Sequence, residues 1–125
     1  MLDFKIDTKE KFVEIQPLIT QMTANMAELL VQKVKLLSAH KPHHVIINMH
    51  AVQDMEPASM HILAACKDYM YTHNYSLVTC LLQPNVDNMV TDAGMEEALN
   101  ITPTLSEAWD IVQMDEIERE FGEEG

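Results

Sequence analysis

The chain reads as an α/β protein, a mixed β-sheet of about four or five strands with about four helices packed against it. Two short segments that alternate apolar and polar residues open the chain. Apolar runs then alternate with stripes of helical period. The run Val45-Ile46-Ile47 is apolar at consecutive positions, as in a strand covered on both faces. Alternation after a leading hairpin implies a mixed sheet rather than a purely parallel one.

Phe4-Lys5-Ile6-Asp7 and Phe12-Val13-Glu14-Ile15 form the first two strands, each half-buried by its alternation. The charged Thr8-Lys9-Glu10-Lys11 between them fits a hairpin turn. From Thr23 to His40 the pattern is helical, with Met22, Met26, Leu29, Leu30, Val34 and Leu37 on one stripe. Thr23 is the expected N-cap, and Lys41-Pro42 stops the helix. His43–Met49 is the central strand. A helix from Pro57 to His73 follows, with Pro57 in the first turn, where a missing N–H costs nothing. Met60, Leu63, Ala64 and Met70 are expected to face the core.

Tyr75–Leu82 is a further β-rich run, and Gln83-Pro84-Asn85 a turn in which Asn85 caps a helix from Val86 to Ala93. Gly94 ends that helix as a C′ glycine, with Met95 its apolar follower. Leu99-Asn100-Ile101 is a short edge strand. Thr104-Leu105-Ser106-Glu107 matches a capping box, and the final helix sets Leu105, Ala108, Trp109 and Val112 on one face. From Glu116 to Gly125 the chain is strongly acidic and is expected to fray or extend into solvent as a mobile tail. With no repeat, linker or low-complexity tract, residues 1–125 read as one domain.

Hydrophobic residues make up 47% of the 125, enough for a core without staples and too many for a disordered chain. A net charge of −12 argues against binding nucleic acid or an anionic membrane through a basic surface. It suits docking onto a basic patch of a protein partner, or solubility alone. No apolar run approaches the roughly 20 residues of a membrane span, and the N-terminus lacks the plan of a signal peptide. A cytoplasmic location is therefore expected. The two cysteines, Cys66 and Cys80, read as reduced and partly buried.

The stretch from Val45 through Ser59 resembles the central motif of the STAS family, the anti-sigma-factor antagonists and sulfate-transporter C-terminal domains. Family members read Asp-Leu-Ser-Gly and, a few residues on, Asp-Ser-Ser-Gly or Asp-Ser-Thr-Gly. Leu81-Leu82-Gln83-Pro84-Asn85-Val86 resembles the family's strand-to-helix junction. Met89-Val90-Thr91-Asp92-Ala93-Gly94-Met95 is similar to its helix end, and Thr104-Leu105-Ser106-Glu107-Ala108 to its last helix start. The order and spacing of these matches carry the resemblance, which covers nearly the whole chain and implies a STAS-like fold.

The departures concern the switch. Asn48 stands where Asp is common, Ala51 where Gly is common, and Glu56 at the motif Asp. Pro57 and Ala58 replace the hydroxyl pair, and Ser59 sits where the family has Gly. In the family, a partner kinase phosphorylates that hydroxyl, and the added charge weakens docking. Pro57 and Ala58 carry no hydroxyl, so the degenerate site cannot be phosphorylated there. Ser59 is either a displaced acceptor or an ordinary first-turn serine. Glu56 is either a permanent negative charge at the switch or a partner of a helix dipole.

The six histidines, His40, His43, His44, His50, His61 and His73, lack metalloprotease spacing and flanking cysteines. His43 and His44 are adjacent at a strand start and point to opposite faces, so no metal site is expected. With no nucleophile elbow and no glycine-rich phosphate loop, no catalytic residue and no cofactor is expected either. Ten methionines read as adaptable core filler or as a docking surface that repacks on a partner, with Met55 and Met60 the candidates.

The sequence thus predicts a non-enzymatic interaction module resembling anti-sigma factor antagonists. Asp54, Met55, Glu56, Ser59, Met60 and His61 are the candidate partner-binding residues. The resemblance implies a partner such as a GHKL-type kinase or anti-sigma factor, in transcription regulation by partner switching. It also permits a small-molecule or lipid sensor, a transporter-associated subunit, or a homo-oligomeric scaffold such as a homodimer.

Overall fold

The computed structural model describes residues 2–124. Strand β1 (Phe4–Thr8) turns back through Lys9–Lys11 into β2 (Phe12–Pro17), antiparallel, with Ile6 opposite Ile15. The tight turn is closed by the Lys9 N–H donating to the Phe12 carbonyl at 2.8 Å. A two-residue strand β3 (Gln21–Met22) leads into helix α1 (Ala24–Ser38). Thr23 is its N-cap, its hydroxyl accepting from the Met26 N–H at 3.3 Å. Strand β4 (His44–Asn48) follows, then β5 (Asp54–Met55) and helix α2 (Pro57–Thr72). The chain continues through β6 (Leu77–Cys80), α3 (Pro84–Asp92), the single-turn α4 (Glu96–Leu99), β7 (Ile101–Thr102) and α5 (Leu105–Glu124).

The main sheet has five strands in the order β1-β2-β4-β6-β7, antiparallel only between β1 and β2. The expected α/β architecture with a mixed sheet is present. Strand β4 is central, and Val45, Ile46 and Ile47 are all fully buried. Because side chains alternate along a strand, they divide between two cores. Val45 and Ile47 join Ile15, Leu30, Val34, Leu63 and Met70 beneath α1 and α2. Ile46 points the other way, with Phe12, Val78, Cys80, Ala108 and Val112 beneath α5. Trp109 closes that second core over Phe12, ring centroids 5.1 Å apart.

Several expectations are corrected. Leu29 lies outside the buried stripe of α1, where Ala27 takes a core place instead. Helix α3 starts two residues earlier than expected, at Pro84 behind Gln83, so Asn85 is helical and does not cap. Leu99 ends the α4 turn, and Asn100 adopts a left-handed conformation before the two residues of β7. Asn tolerates that conformation better than most residues, and the freed side chain donates to the Leu77 carbonyl at 3.0 Å. Helix α3 ends as expected: Gly94 has φ +67, the Met95 N–H reaches the Val90 carbonyl and the Gly94 N–H the Thr91 carbonyl, a Schellman arrangement. The acidic C-terminal segment continues α5 helically to Glu124.

Candidate functional site

The pair β3 and β5 is a second, two-stranded parallel sheet absent from the sequence reading. Each strand is two residues long and lies just before a helix, too short to show a period. It ties the entrance of α1 to the entrance of α2. The Thr20 carbonyl accepts from the N–H groups of Gln53 and Asp54 at 2.7 and 3.1 Å, and the Glu56 N–H donates to the Met22 carbonyl at 2.9 Å.

The loop from β4 into this sheet is held at its base by Asn48. Its amide donates to a Glu14 carboxylate oxygen at 2.9 Å, and its carbonyl oxygen accepts from the His50 N–H at 2.9 Å. The Met49 N–H donates to the Cys80 carbonyl, and Val52 turns back onto Met49, both at 3.0 Å. From the far side the start of α3 closes the loop. Asn85 donates to the Gln53 carbonyl and to Asp54 Oδ1 at 3.1 and 3.3 Å, and the Gln83 amide donates to the His50 carbonyl. Thr20, Asn48, Gln83 and Asn85 therefore belong to the site although the sequence did not place them in it. Their contacts span roughly thirty residues of chain, and no local pattern marks them.

Glu56 occupies the N-cap position of α2 but makes no side-chain cap there. Its carboxylate accepts from the Ala24 N–H at 2.8 Å, at the head of the neighbouring helix. Helix α1 has no acidic residue in its own first turn, so Glu56 supplies the anion that the N-terminal dipole favours. Of its two sequence readings, the helix-dipole partner describes this geometry, with the helix belonging to α1 rather than α2.

The candidate residues separate by burial. Asp54, Glu56, Pro57, Ala58 and His61 are exposed, while Met55 and Met60 are buried in the core beneath α1 and α2. Neither methionine forms a free docking surface. Ser59 is 0% exposed, and its hydroxyl donates to the Met22 carbonyl at 3.2 Å. Its small hydroxyl fits where the entrances of α1 and α2 meet, closed off from solvent. The exposed head of α2 is thus a proline, an alanine and a histidine, rimmed by the carboxylates of Asp54 and Glu56.

The histidines stand apart. His43 stacks on Tyr75 with centroids 4.5 Å apart, while His44 faces α5, its Nε2 2.9 Å from Glu116 Oε1. Among the described residues no group of three or more His, Cys, Asp or Glu is arranged to hold a metal ion. Burial pushes the Cys66 thiol up to about 11 and the Cys80 thiol up to about 12, so both are protonated at neutral pH. No described helix is long and apolar enough to cross a membrane.

The sequence matches the family model described as STAS domain over residues 5–108. Among solved structures, an anti-sigma factor antagonist from Mycobacterium paratuberculosis is 17% identical, with 90% of this chain and 95% of that one covered at a TM-score of 0.75. The unphosphorylated form of the anti-sigma factor antagonist SpoIIAA is 16% identical, covering 89% and 96% at 0.68. The same fold occurs in the murine Slc26a9 anion transporter, 15% identical, where the match covers 86% of this chain but 18% of the transporter, at 0.70. No curated protein matches the sequence.

Proposed function

This chain belongs to the STAS domain family, and from that premise we propose that it is a non-enzymatic protein-interaction module of the anti-sigma factor antagonist kind whose docking is not gated by phosphorylation at the usual position. The observation that carries the reading is the head of α2. Its two exposed first residues, Pro57 and Ala58, have no hydroxyl, and the nearest serine, Ser59, is buried with its hydroxyl committed to the Met22 carbonyl. The face presented is small and partly apolar, bounded by Asp54, Glu56 and His61. A partner with a complementary shape and a basic rim fits it.

SpoIIAA has been solved in a phosphorylated form as well as an unphosphorylated one. By contrast, the present chain would hold one docking state permanently. A GHKL-type kinase or anti-sigma factor is the partner proposed, in the cytoplasm.

The test is affinity capture from lysate of the source organism, followed by titration calorimetry with the recovered partner. Ala58→Arg is the informative variant because Ala58 is exposed, whereas Met60 is buried. We expect a GHKL-type ATPase to be recovered, Ala58→Arg to weaken it at least about tenfold, and incubation with ATP to leave the mass of this chain unchanged. A phosphorylated product, or binding indifferent to Ala58→Arg, rejects the reading.

A further inference from the structure

Helix α5 carries an apolar stripe that its own molecule leaves bare. Met114, Ile117 and Phe121 follow at steps of three and four residues and are 59%, 51% and 69% exposed. The residues around them are acidic: Asp115, Glu116, Glu118, Glu120, Glu123 and Glu124 against the single Arg119. On the opposite side of the sheet, β1 and α1 enclose an apolar groove of about 310 Å³, lined by Leu2, Phe4, Leu29, Gln32, Lys33 and Leu36. Leu29 and Leu36 are 47% and 67% exposed there, and the lining includes one lysine and no acid.

We infer that the C-terminal part of α5 docks in the α1–β1 groove of a second copy of this chain, a head-to-tail self-association. The stripe does not reach its own groove. Helix α5 is continuous from Leu105 to Glu124 and packs on the face of the sheet opposite α1. Pairing of two α5 stripes with each other would set the carboxylates of Glu116, Glu118 and Glu120 against their own copies, which costs rather than stabilises. The α1–β1 groove offers apolar walls to the stripe and the Lys33 ammonium to the carboxylates beside it. A contact between two different patches is heterologous, so it propagates into a ring or an open chain. It uses neither Pro57, Ala58 nor His61, and stands or falls independently of docking at the head of α2.

The test is sedimentation equilibrium of the full chain across a concentration series at low and high salt. The weight-average mass is expected to rise with concentration at low salt and to rise less at high salt. Ile117→Ser with Phe121→Ser, and separately Leu29→Glu with Leu36→Glu, are each expected to weaken association at least about tenfold. All four positions are about half exposed or more, and circular dichroism checks that both variants remain folded. An equimolar mixture of the two variants decides the geometry, since one keeps the groove and the other the tail. A dimer that does not grow further is expected. A concentration-independent monomer, association that survives either variant, salt-insensitive association, or a mixture that stays monomeric would each overturn the inference.

Discussion

Asn48 holds the loop of the site because it can donate and accept at once. Asn48→Asp would keep the acceptor for His50 but set a second carboxylate against Glu14, now 2.9 Å away. The substitution is expected to cost about 1–3 kcal/mol at neutral pH. The loss should shrink as the pair takes up a proton in acid, which a series of thermal melts against pH would show. If the melting temperature of Asn48→Asp tracks the parent at every pH, the contact with Glu14 is not stabilising. Ser59 offers a second test. Ser59→Ala should be mild, about 1 kcal/mol, because the Met22 carbonyl still accepts from the Glu56 N–H. Ser59→Glu would bury a charge and should unfold the chain or cost more than about 3 kcal/mol, read by denaturant titration. At this scale the sequence shows the missing acceptors at once, since Pro57 and Ala58 have no hydroxyl wherever they lie. It does not show that Met55, Met60 and Ser59 point inward, because the side of a helix that faces the core is decided by the helix beside it.

At the scale of elements, Glu56 joins two helices that sequence treats separately. Glu56→Ala is expected to lower stability by about 1 kcal/mol by leaving the Ala24 N–H without its carboxylate while Thr23 still caps α1, a drop of about 4 °C in Tm. Hydrogen exchange should then rise in the first turn of α1, and unchanged exchange there would reject the capping role. The long elements α1, α2 and α5, with β4 between them, were legible because each presents a repeated period or an unbroken apolar run. The two-residue strands β3 and β5 were not, since pairing between Gln21 and Asp54 or Met22 and Met55 leaves no local signature. Asn85 misled for a related reason. A turn ending in Asn reads as a cap, yet its amide is spent across the loop on Gln53 and Asp54.

For the molecule as a whole, the docking of α5 is expected to depend on pH. His44 Nδ1 accepts from the Ser76 N–H at 2.9 Å, which leaves the proton on Nε2 to donate to Glu116. Burial lowers the His44 pKa below its usual 6.5, the charge of Glu116 opposing this and those of Arg119 and His43 adding to it. Since the folded form binds a proton less readily than the unfolded chain, the stabilisation is complete above about 6.5 and falls away as pH drops toward the lower folded value. His44→Asn, which cannot titrate, should flatten the dependence of Tm on pH between about 7 and 5. A slope equal to that of the parent would assign it to the carboxylates instead. Around His44 the network continues through Ser76 and Tyr71, both donating to Asp115 at 2.7 and 2.6 Å, and Arg119 donates to Ser76. The acidic run from Glu116 reads in sequence like a fringe, because the partner that holds its first residue, His44, comes from β4.

The two cysteines lie on opposite sides of the sheet, Cys66 in the core under α1 and α2 and Cys80 in the core under α5. Each layer of the molecule therefore contains its own chemical clock. A thiol reagent reaches Cys80 only when α5 lifts and reaches Cys66 only when the helical layer opens, so the two labelling rates time the opening of the two halves separately in the unaltered protein. Equal rates would mean that the layers come apart together, and a faster Cys80 would mean that α5 leaves first.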